Sequence, residues 1–277
     1  MKNHDNFGCW LLVVGLCLTA RAEPLSGIYC NQKNTWIDTE KCLTEKTDGV
    51  FNVLQIKGVH VLLSQPMLEI KSGKSYKLSG YFRKGKNSPD SLFYFGVACY
   101  DKNKKVIGTY NFVTVPKTET ELVAPCHASE QVVKVKDAAK WQRSKYLSVV
   151  FQIDDSGKFA DLPNDHIALR GIEKVEAEKN YYKVTMGGNS DRDYPAGTKV
   201  RLHTDSATFA YAAADRQVVP NDWQEFSAVI ASTATNAYDS SQWFNGTSYA
   251  KIVIMANYDD HQDGIMEFRD IVLTEEP

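Results

Sequence analysis

Residues that could do chemistry in this 277-residue chain are better suited to holding a ligand than to breaking one. Gly-x-Ser-x-Gly elbows, phosphate-binding glycine loops and His-Glu-x-x-His pairs are absent. The six histidines, His4, His60, His127, His166, His203 and His261, share no metal-ligand spacing. The 34 acidic residues could supply a hydrolytic carboxylate pair only by meeting in the fold, and solvated surface is the simpler expectation. Ring side chains beside polar ones are the more informative signal, because a ring face packs on C–H surfaces while amides, carboxylates and Arg bond hydroxyls. Trp36 follows the Asn-rich stretch 31–35, and Trp243 sits in Ser241-Gln242-Trp243-Phe244-Asn245. Each is either an exposed ring or a plug for one end of the fold. Tyr81, Tyr94 and Tyr100, with Arg83 and Asn257 on neighbouring strand patterns, are expected to line one open sheet face.

Charge and the N-terminus narrow the partner class. A formal net charge of -2 provides no basic footprint for a nucleic-acid backbone, whereas a neutral polyol or sugar suits the balance. Residues 1–8 are polar, 9–19 are apolar, and Ala20-Arg21-Ala22 completes a secretory signal with cleavage after Ala22. The apolar run is about half of the ~20 residues that cross a bilayer, so no membrane span is expected after removal. Export favours disulfides, and Cys30, Cys42, Cys99 and Cys126 allow three pairings. Cys30 with Cys42 is the simplest because the loop is short. Cys99 reads equally well as a small buried hydrophobe. Asn245-Gly246-Thr247 forms a glycosylation sequon.

The elements that must position these residues are strands. Over 75–83, Tyr76, Leu78, Gly80 and Phe82 alternate with Ser79 and Tyr81, which is the period of a half-buried strand. The aromatic run 92–100 reads as a central strand, and 106–115 as a further strand. Pro116 and the polar residues after it break the pattern. Residues 118–202 hold shorter strands and tight turns of their own, with Trp141 as an anchor, before the first kind of pattern resumes. The expected organisation is a signal at 1–22, an N-terminal segment at 23–48, sandwich parts at 49–117 and 203–277, and an inserted β-rich subdomain at 118–202. The fold class is all-β, an antiparallel β-sandwich.

Four motifs in order carry a resemblance. Gly73-Lys74-Ser75-Tyr76-Lys77-Leu78-Ser79-Gly80, the strand end Tyr100-Asp101, the strand Asp222-Trp223-Gln224 and the closing Asp270-Ile271-Val272-Leu273 resemble the jelly-roll, galactose-binding-like carbohydrate-binding modules attached to bacterial glycanases. The middle region is similar to an insert of some bacterial secreted and phage tail-associated proteins. The resemblance implies an exported, non-catalytic protein that binds a poly- or oligosaccharide, with Trp223 in the core. It further implies Asp270, and secondarily Glu267, as ligands of a structural calcium. Two rival readings are a structural or adhesive surface sandwich making protein contacts, and a polysaccharide lyase or hydrolase with converging acid–base groups in a cleft.

Overall fold

The computed structural model describes residues 26–37, 42–259 and 261–277, so the expected signal at 1–22 lies outside the described residues. In chain order the strands are β1 (Gly27–Tyr29), β2 (Leu43–Asp48), β3 (Phe51–Lys57), β4 (His60–Leu63), β5 (Leu68–Glu69), β6 (Tyr76–Lys84), β7 (Leu92–Tyr100), β8 (Val106–Ile107) and β9 (Thr120–Glu121). They continue as β10 (Val132–Val135), β11 (Leu147–Phe151), β12 (Ile167–Ala168), β13 (Ile172–Ala177), β14 (Tyr182–Met186), β15 (Lys199–Thr204), β16 (Ala210–Val218), β17 (Gln224–Ile230), β18 (Tyr249–Ala256) and β19 (Ile265–Glu275). One short helix, α1 (Thr109–Phe112), follows β8.

Two antiparallel sheets make the main sandwich. The first has the order β17-β6-β19-β3-β2, with β1 also on β19; the second has the order β16-β7-β18-β4, with β5 on β18 and β8 on β7. Alternation decides which side chains meet between them. Tyr76, Leu78 and Phe82 of β6 point inward with Phe93, Phe95, Val97 and Cys99 of β7 and Ile252 and Ile254 of β18. Phe82 is the hub, its ring 4.8 Å from Phe93, 4.9 Å from Phe95 and 5.8 Å from Phe226. The fold is therefore the all-β antiparallel sandwich that the alternation predicts, and β7 is central, paired on both sides.

Between β8 and β16 the chain leaves these sheets and builds two others, β10-β14-β13 and β12-β11-β15-β9, around a second apolar cluster. Trp141 belongs to that cluster and donates its indole N–H to the Thr118 carbonyl at 3.1 Å. A buried polar chain fastens this region to the sandwich. Arg201 Nη2 meets Asp161 Oδ2 at 2.7 Å, Arg201 Nε donates to His203 Nε2 at 2.8 Å, and His203 Nδ1 lies 2.8 Å from the Tyr110 carbonyl of α1. A carbonyl can only accept, so the proton sits on Nδ1 and the ring is neutral. Burial first, and the Arg201 charge second, push His203 down to about 3.

Two local expectations are corrected. Residues 106–115 do not form one strand: after β8, Gly108 turns the chain, its N–H donating to Asn111 Oδ1 at 2.9 Å, and α1 begins. Cys30 and Cys42 carry no disulfide to each other. Cys30 is buried in the sandwich core with its Sγ 4.0 Å from the Thr35 carbonyl, and burial pushes the thiol up to about 12.

Candidate functional site

The sandwich has two outer faces, and the residues expected to share one are divided between them. Tyr81 and Arg83 lie on the outer side of β6, whereas Tyr94 and Tyr100 lie on the outer side of β7 in the other sheet.

On the β6 face the charged groups around Arg83 are paired with one another. Arg83 donates from Nε to Glu267 Oε2 at 2.8 Å and from Nη2 to Asp48 at 2.8 Å. Glu267 also receives Lys46, and Gln55 Nε2 at 2.9 Å. Burial opposes ionisation of Glu267, but the donors from Lys46, Arg83 and Gln55 outweigh it and hold the carboxyl below its usual range. The rings are occupied too. The Arg83 guanidinium lies 4.4 Å from the Trp223 ring centre, and that of Arg269 lies 3.9 Å from Phe51, 4.7 Å from Tyr81 and 5.0 Å from Trp223. Trp223, expected in the core, is thus half-buried on this outer face, stacked by cations.

The two carboxylates expected to hold calcium are each committed elsewhere: Glu267 to Lys46 and Arg83, Asp270 to Arg269. A cation at Glu267 would face Lys46 and Arg83, and one at Asp270 would face Arg269. Among the described residues no group of three or more His, Cys, Asp or Glu side chains is arranged to hold a metal ion.

The β7 face is built differently. Its outer side chains come from alternate positions of paired strands: Tyr94 opposite Met255 and Val61, Ala98 opposite Lys251, and Tyr100 opposite Tyr249, with Glu69 beyond. Tyr94 packs 4.7 Å from Tyr211 and 5.5 Å from Tyr258, ring centre to ring centre. The β16 backbone passes so close to Gly96 that a Cβ there would fall 1.9 Å from the Ala210 carbonyl oxygen. Only glycine lets that strand rise and bring Tyr211 onto the face, where its hydroxyl contacts Met255 Sδ at 3.0 Å. Tyrosines therefore stand at both ends. Tyr94 and Tyr100 are six residues apart on one strand, roughly 20 Å at ~3.3 Å per residue.

Between them stands Lys251, half-buried and without a hydrogen-bond or ion-pair partner among the described residues. Burial alone depresses its ammonium below the ordinary lysine range. At the same end Lys104 Nζ lies 5.6 Å over the Tyr249 ring. The sequence reading missed Tyr211, Tyr249, Lys251 and Tyr258. The available signal was Lys251 itself, a single charge inside the otherwise apolar run of 249–256.

Three other expected contacts are corrected. Trp36 and Trp243 are 3 % exposed, edge-on to Phe268 and Tyr76 at 5.6 and 5.5 Å, so they plug the core. Asn257 is fully buried, donating from Nδ2 to the Gly58 and Gly264 carbonyls at 2.8 and 3.0 Å and accepting Ser91 Oγ at 2.8 Å. It clamps loops rather than facing a ligand. A polar cleft lined by Lys105, Asp161, Asp165, His166, Asp191 and Arg192 is the place where a hydrolase or lyase site would form. Its carboxylates are engaged: Asp161 by Arg201, Asp165 by Lys105 at 3.0 Å, and Asp191 by Arg192 and the Tyr194 hydroxyl.

Comparison with known proteins gave no matching family model and no matching curated protein. Among solved structures, the CBM22-1 xylan-binding domain of Paenibacillus barcinonensis Xyn10C aligns at 8 % identity over 91 % of this chain and 97 % of that one, with a TM-score of 0.36. The tandem CBM22-1-CBM22-2 domain of the same protein aligns at 8 % identity over 91 % and 99 %, with a TM-score of 0.21. Among the described residues no helix is long and apolar enough to cross a membrane.

Proposed function

We propose that this protein is an exported carbohydrate-binding protein that holds a poly- or oligosaccharide along the β7 face and carries out no chemical step. One observation carries the reading: tyrosines stand at both ends of the outer side of the β7–β18 pair, with Lys251 between them lacking a partner among the described residues. Tyrosine joins an apolar ring to a hydroxyl, which suits a ligand presenting C–H faces and hydroxyls together. Export rests on the signal read at 1–22. The β6 face is the poorer candidate because its rings are already stacked by Arg83 and Arg269.

Titration of the mature protein with a panel of soluble neutral and acidic polysaccharides, followed by calorimetry or affinity electrophoresis, tests this. Binding should be lost by about tenfold in Tyr100→Ala and in Tyr249→Ala, and kept in Trp223→Ala. No retention by any glycan, or equal loss in Trp223→Ala, would reject the reading and turn attention to protein contacts through the same face.

A further inference from the structure

We infer that the β7 face selects saccharides bearing an anionic substituent, a carboxylate or a sulfate ester, and that Lys251 receives it; this rests on the glycan reading above. Position is the first argument. Lys251 lies on β18, a strand paired on both sides, and faces outward between Tyr249 and Val253 with Ala98 opposite. Ala98 opposite it presents a single methyl group, and Tyr249 lies two residues along the same strand on the same side.

Missing charge is the second argument. The comparable cation of the other face, Lys46, is paired with Glu267, whereas Lys251 has no such group among the described residues. Glu69, brought onto this face by the β5–β18 pairing, interacts electrostatically with Lys71. A half-buried ammonium with no counter-ion is poorly hydrated, and an anion on the ligand restores what burial removed. Charge-assisted hydrogen bonds are roughly twice as strong as neutral ones, so a carboxylate or sulfate is favoured over a hydroxyl.

The face is also polarised. Lys251 and Lys104 stand toward the Tyr100–Tyr249 end, where Glu69 interacts with Lys71, while Asp215 acts on the Tyr211 hydroxyl at the other. An acidic chain would therefore place its anionic residue near Tyr249, with uncharged rings toward Tyr94.

Matched oligosaccharide pairs provide the test: hexuronate chains against their carboxyl-reduced forms, and sulfated chains against desulfated ones, measured with the mature protein. In the pair that binds, the anionic member should be tighter by roughly ten- to a hundredfold. Lys251→Met should abolish that preference, bringing the affinity for the anionic member down to that for the neutral one; Lys251→Arg should retain it. Preference should also shrink as salt rises, since the site is only half-buried. Lys251→Met should melt no lower than the parent, and Lys251→Gln gives a second uncharged variant. Whichever pair responds separates carboxylate from sulfate. Equal affinity for both members of a binding pair, or a preference that survives in Lys251→Met, overturns the inference and leaves the glycan reading standing. If no member of either pair or of the neutral panel binds, both fall together.

Discussion

On the β6 face, Arg83 and Arg269 stack on Trp223, Tyr81 and Phe51, and their charges are answered by Glu267, Asp48 and Asp270. On the β7 face, Tyr94 with Tyr211 stands at one end and Tyr100 opposite Tyr249 at the other, and between them the Lys251 ammonium has no counter-charge among the described residues. Both faces combine rings with charge, and composition alone would rank the first higher for sugar binding. What separates them is unused bonding capacity. A guanidinium on a ring and a carboxylate on that guanidinium form a closed set that stabilises the sheet. A half-buried lysine without a counter-charge is a small liability for folding, as expected where a site is kept for something else.

Breaking the closed sets should cost stability, and breaking the open one should cost binding. The largest effect is expected at the seam, where His203 is as fully closed as any group. The folded state holds it neutral down to about 3, while the unfolded chain takes a proton below ~6.5. The unfolded state therefore binds the extra proton between those values, and stability falls as pH falls through that window, by on the order of 5 kcal/mol in total. Urea midpoints at pH 7, 5.5 and 4 should decline, and the decline should flatten in a His203→Gln variant that still folds.

Glu267→Ala comes next. It removes the buried carboxylate shared by Lys46 and Arg83, leaving Arg83 with Asp48 and Lys46 with solvent, and should destabilise by about 2 kcal/mol, read from urea unfolding, with glycan affinity unaltered. Trp223→Ala removes the ring beneath two guanidinium groups and should cost about 1–2 kcal/mol on the same assay. The smallest change has the opposite sign: Lys251→Met should raise stability by about 0.5 kcal/mol, because a partly dehydrated charge is replaced by an apolar chain. A loss of stability there would mean that Lys251 has a structural role, and the contrast between the faces would weaken.

Much of the β architecture was legible from local pattern. The alternation of Tyr76, Leu78 and Phe82 against Ser79 and Tyr81 assigns inside and outside in β6 without any tertiary information, because the side-chain period of a strand is two. The apolar run 92–100 similarly marked a strand covered on both sides. The candidate face was only half legible. Tyr94 and Tyr100 stood out, but Trp36 and Trp243 have the same local signature as exposed rings, polar neighbours within loop-like stretches, and both are buried. Asn257 was read as a ligand group because an amide looks alike whether it bonds a sugar or two loop carbonyls.

By itself the sequence determined the period of the strands, the lack of local catalytic motifs and the presence of tyrosines on β7. Only the tertiary structure decided that Tyr81 and Arg83 lie on the opposite sheet from Tyr94 and Tyr100, and that Lys251 lacks, among the described residues, the counter-charge Lys46 has. The physical reason is range. A strand's facing is fixed by neighbours two residues away, whereas an ion pair such as Lys46 with Glu267 joins residues 221 positions apart and exists only once the sheet order is set.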